Sequence, residues 1–451
     1  MVVVSVLAGL AVAVVLAGLH WYLWRRLVRD TTREGSTWRS YGAGVFALGA
    51  VLMGGAFAAV LSGATWDVWR WLTWPGFLWA ALFLYLLIGV LAGEIIRPLL
   101  LRGLESRDAG TAAPPAAPVA VDSPAEPGVA PEPVGVAVAD GAGGDSSPVP
   151  PSISPGPPAP GSVPVPAEPA ETGHEPLSRR QVISRLAAGA TVLAAGAVVA
   201  TGTYGVLDGP SVRRVTVPLA KLPAQAHGLR IALVSDLHLG PALGRGFCER
   251  VVRTVNETRP DLIAVVGDLT DGSVEDLRAE TEPLAGFSAR LGTYFVPGNH
   301  EYYSDADAWL TRVGELGMRV LLNDRVSLPD FDLAGVDDPA AREIGRGPDF
   351  AAALAGRDTA RTCVLLAHQP VLVDESVRYG VDLQLSGHTH GGQVWPGNLL
   401  ARLANPTVAG LELYGATALY VTRGAGAWGP PVRVAAPSDI TVLELASLQG
   451  V

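Results

Sequence analysis

Residues 2–24 read VVVSVLAGLAVAVVLAGLHWYLW, a run without one Asp, Glu, Lys or Arg. Three more uncharged apolar runs stand at 41–63, 72–93 and 186–206. An α-helix rises 1.5 Å per residue, so about 20 residues cross the roughly 30 Å of bilayer hydrocarbon. Inside a bilayer every backbone polar group must be satisfied within the chain, which constrains each run to a helix. The fourth run is rich in Ala and Gly and is the weakest of the four. Composition points the same way: hydrophobic residues reach 49% and charged residues only 17%, a balance unlike that of ordinary soluble domains. Eight of the 11 tryptophans precede residue 80, and Trp favours the membrane interface, where one end of the ring is apolar and the other wet.

Arginines set the expected topology. Arg25, Arg26, Arg29, Arg33 and Arg39 lie between the first and second runs, Arg97, Arg102 and Arg107 come after the third, and Arg179, Arg180 and Arg185 precede the fourth. The positive-inside rule puts these segments in the cytoplasm. The chain is therefore expected to be multi-pass: a membrane region over 1–102 with three crossings, a fourth crossing within 177–208, and an extracytoplasmic remainder over 209–451. The first run lacks a basic start, so it reads as an anchor rather than a cleaved leader. The paired arginines of SRRQVISRLAAGA (178–190) also fit a twin-arginine export signal. Its mid-chain position favours an anchor, and both readings leave residues 209–451 on the same side. Between these regions, 103–176 is dominated by Pro, Ala, Gly and Val. Such a stretch cannot build a core, so a disordered linker with polyproline segments is expected.

The net charge is −10 and the single lysine is Lys221. Nucleic-acid binding needs a basic face that displaces counterions, and nothing beyond the membrane flanks supplies one. No feature marks a specific protein partner. Cys248 and Cys363 stand far apart and outside any CxxC pattern, and they are expected to pack as small apolar residues.

From about residue 209, apolar strand patterns alternate with helical ones. RIALVSD (230–236), DLIAVVGD (261–268), GTYFVPGNH (292–300), MRVLLND (318–324), TCVLLAH (362–368), VDLQLSGH (381–388) and ALYVTRG (418–424) read as strands. Segments 247–259 and 306–317 carry apolar residues at helical spacing. The expectation is an α/β domain with a largely buried sheet.

Chemistry collects where these strands end. The first exits into Asp236 and His238, the second into Asp268 and Asp271, the third into Asn299, His300 and Glu301. Later strands exit into His368 and into His388 and His390. In open α/β sheets the carboxyl ends of strands border the ligand crevice, so these groups are expected to converge. Any one of them alone reads as a cap or turn residue, but five such exits in one domain point to a metal site. Imidazole, carboxylate and amide oxygen together suit Mn, Fe, Zn or Co. Seven or more ligands exceed the three protein ligands of a single catalytic zinc. Two divalent ions, with one carboxylate bridging, account for the count. Such a pair can activate a shared water and clamp a phosphoryl group for in-line attack.

DLHLG, GDLTDG, GNHE, AHQP and GHTHGGQ, in this order across residues 228–445, resemble the calcineurin-like metallophosphoesterases. GHTHGGQ and the segment YVTRGAGAWGPPVRVAAPSDITVLEL are similar to those of a membrane-associated branch, some of whose members cleave the pyrophosphate of UDP-diacylglucosamine. The resemblance implies a double β-sandwich flanked by helices. It implies Asp236, His238 and His390 on one metal, Asn299, His368 and His388 on the other, and Asp268 between them. His300 would stabilise the transition state or protonate the leaving oxygen. Asp271 and Glu301 would orient the ligands, and Gln393 and Arg423 could reach substrate phosphate.

The expected function is thus a membrane-anchored, binuclear, metal-dependent phosphoesterase acting on a phosphodiester, pyrophosphate or phosphomonoester. Its substrate would be a phosphorylated small molecule or a lipid-linked or cell-envelope compound. Phosphatase or phosphodiesterase activity on soluble nucleotides is the alternative enzyme reading, and a membrane sensor or scaffold without turnover the non-enzymatic one.

Overall fold

The computed structural model describes residues 2–62, 66–111 and 179–449. Residues 112–176 of the expected linker lie outside them. Helices α1 (Val2–Trp24), α2 (Thr37–Ser62), α3 (Trp66–Thr111) and α4 (Arg179–Asp208) come first. All four are long and apolar enough to cross a membrane, over Gly9–Arg29, Thr37–Ala59, Trp71–Ile96 and Gln181–Asp208. A π-turn at Arg25–Arg29 closes the first. Helix α3 runs on through Thr111, past the end expected at residue 93 and into the stretch read as linker. Good helix formers persist in GEIIRPLLLRGLESRD, and dense Pro/Ala composition sets in only afterwards. Helices α1 and α3 are tied by Trp79 Nε1 donating to His20 Nε2 (3.1 Å) and by Arg26 paired with Glu94 (2.5 Å).

The remainder alternates strands and helices. In chain order these are β1 (Ser211–Leu219), β2 (Leu229–Val234), α5 (Arg245–Glu257), β3 (Leu262–Val266), α6 (Val274–Thr281) and β4 (Thr293–Val296). Next come α7 (Asn299–Tyr303), α8 (Ala306–Glu315), β5 (Arg319–Val320), β6 (Asp324–Ser327), β7 (Asp332–Gly335) and α9 (Phe350–Ala353). The last are β8 (Cys363–Leu366), α10 (Val373–Arg378), β9 (Leu383–Ser386), α11 (Gly397–Ala404), β10 (Gly410–Tyr414), β11 (Thr417–Val421) and β12 (Asp439–Ser447).

The strands form two six-stranded mixed sheets, ordered β1-β12-β2-β3-β4-β5 and β10-β11-β9-β8-β7-β6. Strands β2 to β5 are parallel to one another, as are β7, β8, β9 and β11. Antiparallel β6 and β10 close the edges of the second sheet. This is the α/β, double-sandwich architecture expected from the resemblance, with helices outside both sheets.

Burial explains why the strand sequences are unbroken apolar runs rather than alternating ones. Leu262, Ala264 and Val266 of β3 face the second sheet, against Leu333, Val364, Leu366, Leu383 and Leu385. Ile263 and Val265 face the other way, against Phe247, Val251 and Val255 of α5. On the far side, Cys363 and Leu365 pack beneath Phe350 and Ala353 of α9. Each such fully buried aliphatic side chain contributes about 1.5–3 kcal/mol relative to exposure.

MRVLLND does not form the single strand its apolar run predicts. Asn323, at φ 53°, divides it into β5 and β6, which end up in different sheets. Strand β12 falls in a segment that the alternation of elements did not mark, yet it sits inside the first sheet between β1 and β2.

Cys248 and Cys363 are free and buried. Burial pushes both thiols up to about 12, so neither forms thiolate at neutral pH. A water-soluble aromatic disulfide at pH 8 is expected to react with neither thiol in the native full-length chain and with both after unfolding. Reaction of either one before unfolding would contradict this packing.

Candidate metal centre

The carboxyl ends of β2, β3, β4, β8, β9 and β11 open toward one place because the two sheets share this edge of the sandwich. Asp236 and His238 follow β2, Asp268 follows β3, and Asn299 opens α7 just after β4. His368 follows β8, and His388 and His390 follow β9. Five of these seven residues, Asp236, His238, Asp268, His388 and His390, have positive φ. Non-glycine residues adopt that region rarely and at a cost. Glycines clear the way for the carboxylates. A Cβ at Gly387 would stand 2.4 Å from Asp236 Oδ2, and one at Gly298 would stand 2.2 Å from Asp268 Oδ1.

Ligand atoms of Asp236, His238 and His390 lie within 4.8 Å of one another, as do those of Asp268, His368 and His388. Asn299 Oδ1 is 3.2 Å from His368 Nε2, and Asp268 Oδ2 is 3.1 Å from the same nitrogen. His238 Nε2 stands 3.0 Å from His390 Nε2, which is 3.4 Å from Asp236 Oδ1. Asp268 reaches both groups, its Oδ2 being 3.9 Å from His238 Nε2.

The protons on these rings can be placed. His368 Nδ1 faces the carbonyl of Val266 at 2.7 Å, so it carries hydrogen and donates. Its Nε2 faces two oxygen acceptors; burial would lower the ring, but Asp268 beside it raises the imidazole well above its usual range, so this nitrogen is protonated unless a cation takes the proton's place. His238 Nδ1 donates to Asp271 Oδ1 at 2.8 Å, and its Nε2 lone pair points at another ring nitrogen. Between His238 and His390 one ring hydrogen is shared, because Arg433 donates to His390 Nδ1 and leaves its Nε2 to carry the proton. The groups converging here are imidazole nitrogens, carboxylate oxygens and an amide oxygen, the mixed N/O set that divalent transition metals take. The residues present therefore fit metal ions.

Orienting groups stand behind the ligands. Asp271 Oδ1 accepts from His238 Nδ1 and also lies 2.8 Å from His300 Nδ1, so one carboxylate sets two imidazoles. The Glu301 carboxylate, fully buried, accepts from the backbone N–H of Asp268, Leu269 and Gly298 at 2.7–3.0 Å. It bolts the loop after β3 to the start of α7. The His300 backbone N–H donates to Asp268 Oδ1 (2.9 Å) and the His388 N–H to Asp236 (3.1 Å), each aiming a carboxylate.

The electrostatics follow from this crowding. Burial alone would raise the Asp268 carboxyl, but His368 beside it holds it well below the usual range. Burial would lower His300, yet the bond to Asp271 carries its imidazole up to about 9. Burial pushes His388 down to about 4 and lowers His390 as well, which keeps both rings neutral and able to ligate.

Gln393 and Arg423, read as reaching substrate phosphate, are engaged elsewhere. The Gln393 amide donates to the carbonyls of Trp428 and Pro430 and accepts from the Trp428 N–H. Arg423 Nη1 bonds Asp439 at 3.3 Å. A partner that sequence reading missed is Arg433, a buried guanidinium. It donates to the carbonyls of Gly426, His390, Ala436 and Arg423 and lies 3.2 Å from His390 Nδ1. Asp338, also missed, is buried beside the site and accepts from the side chain of Gln369, next to His368. Neither sits in a strand-exit motif. The only signal for Arg433 is an arginine in an otherwise apolar run, PPVRVAA.

These clustered Asp, His and Asn side chains at one edge of a two-sheet α/β sandwich define a candidate metal centre. The sequence profile of the calcineurin-like phosphoesterases matches residues 229–392. A transmembrane protein with metallophosphoesterase domain from Danio rerio is 42% identical over 272 residues, covering 56% of this chain and 62% of that protein. The chain thus spans less than two thirds of that relative. Uncharacterized metallophosphoesterases from Aquifex aeolicus and Bacillus subtilis are 35% and 30% identical. Those alignments cover 52% and 60% of this chain and 91% and 98% of the relatives. The chain belongs to the calcineurin-like phosphoesterases.

Glu301→Gln leaves one oxygen where two served three N–H donors. Stability of the full chain in detergent is expected to fall by about 1–3 kcal/mol, the cost of an unsatisfied buried donor, read as a lower thermal midpoint. An unchanged midpoint would remove Glu301 from this role.

Proposed function

We propose that the protein is a membrane-anchored phosphoesterase with two divalent ions. Asp236, His238 and His390 hold one, Asn299, His368 and His388 hold the other, and Asp268 lies between them. The observation that carries this reading is the set of His and Asp clusters that meet around Asp268 at one end of the sandwich. Bound there, the ions supply Lewis-acid stabilisation of phosphoryl oxygens and lower the pKa of water. Asp271 keeps the Nε2 of His238 turned into the cluster by accepting from its Nδ1. His300, protonated at neutral pH and anchored by Asp271, donates its proton to the leaving oxygen. The ions are of the Mn, Fe, Zn or Co type, on the chemistry of the donors.

On this reading the four helices anchor the domain as a multi-pass protein, and the arginine distribution supports a position outside the cytoplasm. Tethering raises the effective concentration of the enzyme at the membrane, which favours a lipid-linked or cell-envelope phosphate or pyrophosphate over a freely diffusing nucleotide. The membrane-named relative supports the anchoring.

The full chain in detergent, stripped of metal, is expected to hydrolyse bis-p-nitrophenyl phosphate or p-nitrophenyl phosphate only after Mn²⁺ is restored. Asp268→Asn is expected to stay inactive with metal. Turnover by the stripped protein, or by Asp268→Asn at the native rate, would overturn the reading.

His300→Ala separates its role from the metal ligands. The loss in kcat is expected to reach about 10²–10⁴-fold on an alkyl phosphoester. It should be much smaller on a p-nitrophenyl ester, whose leaving group needs no proton. Equal losses on both would remove His300 as the acid.

A further inference from the structure

Helix α11 follows directly from the His390–Gly392 turn of the metal centre, and it has no buried residue. Its sequence, GNLLARLA, places Leu399, Leu400 and Leu403 on one face at i, i+1 and i+4. These three are 55%, 71% and 85% exposed. Trp395, just before the helix, is 45% exposed. An unpartnered leucine face of this kind asks for an apolar neighbour.

The surroundings say which neighbour. Val394 and Val434 pair in an isolated bridge, and both pack with Val432 against the cluster of α1, α3 and α4 side chains. The carbonyl of Trp395 accepts from the hydroxyl of Tyr85, within the Trp71–Ile96 span. The N–H of Arg433 donates to the carbonyl of Gly202, within the Gln181–Asp208 span. The residues leading into α11 are thus fastened to two candidate membrane helices. The leucine face begins four residues beyond Trp395, within one helical turn of residues seated on those helices. Short amphipathic helices with Trp and Leu on one side lie in the interface plane in this way, and Trp395 supplies the ring that favours that boundary.

We infer that α11, with Trp395, inserts its Leu399–Leu400–Leu403 face into the bilayer surface as an interfacial anchor beside the metal centre. The inference rests on the reading of α3 and α4 as membrane spans and does not require turnover. It places the rim of the site, where Trp428 stands 5.8 Å from the His300 ring and is held by Gln393, next to the lipid boundary. A phosphoester whose apolar part stays in the leaflet can then present its phosphate to the ions.

The test uses the full chain reconstituted in nanodiscs at one copy per disc. An environment-sensitive dye is attached at Leu400→Cys, Leu403→Cys or, at the far edge of the second sheet, Ser327→Cys. The native cysteines are buried and do not compete. The dyes at 400 and 403 are expected to shift to the blue and to lose intensity in discs of bromine-labelled lipid, while the dye at 327 does neither. Labels at 400 and 403 that stay water-exposed and unquenched would overturn the proposal. So would protection that appears only with two copies per disc and without bromine quenching, since the face would then bind a second copy. Loss of phosphoesterase activity without loss of quenching would sink the functional reading and leave this inference intact.

Discussion

Everything at the centre of this molecule depends on one electrostatic constraint: imidazoles and carboxylates packed this closely out of water need positive charge shared between them. His368 and His238 each commit a ring proton to a partner behind the site, the carbonyl of Val266 and the carboxylate of Asp271. Their other nitrogens turn inward to the shared cluster. The fold holds them there at some cost, in left-handed backbone at five of the seven converging residues and in buried carboxylates that burial alone would neutralise. The double sandwich provides the rigidity. Two sheets buried on both faces present six strand ends at a common edge, and loops leaving such strands are short and fixed.

Membrane attachment and chemistry meet in the segments around β12. The run from Ala425 to Ala436 passes from the back of the metal centre, where Arg433 braces His390, to the surface of α4, where its own N–H bonds Gly202. The centre and the helices therefore share residues, and a shift of one against the other is felt at a ligand. Desolvation takes the Arg433 guanidinium down to about 10, still charged at neutral pH, so the brace is permanent.

Much of this was legible in the sequence, for identifiable reasons. The apolar runs 2–24 and 186–206 read as helices, because barrel strands are shorter and alternate in polarity while these runs are apolar throughout. LIAVV had to be a doubly covered strand, because both alternating sets of its side chains are apolar. The carboxylates and imidazoles could be gathered in advance because each stands at a strand exit. What the sequence hid has equally physical causes. Asn323 splits MRVLLND through one left-handed residue, which no hydrophobic pattern records. Strand β12 pairs with elements more than 200 positions away in sequence, and local texture carries no trace of such pairing. Arg433 and Asp338 act from behind the ligands, where one buried charge in an apolar run is easily read as surface. Gln393 stands in the GHTHGGQ motif yet braces the Trp428 loop, since a motif's position does not say which way an amide turns.

The proposed function turns on whether two ions share Asp268. Electron paramagnetic resonance of the full chain loaded with Mn²⁺ reads this directly. The account predicts the many-line spectrum of an exchange-coupled Mn pair, replaced by an uncoupled six-line signal or by no bound signal in Asp268→Asn. A six-line spectrum of isolated Mn²⁺ in the unmodified protein at saturating metal would contradict it.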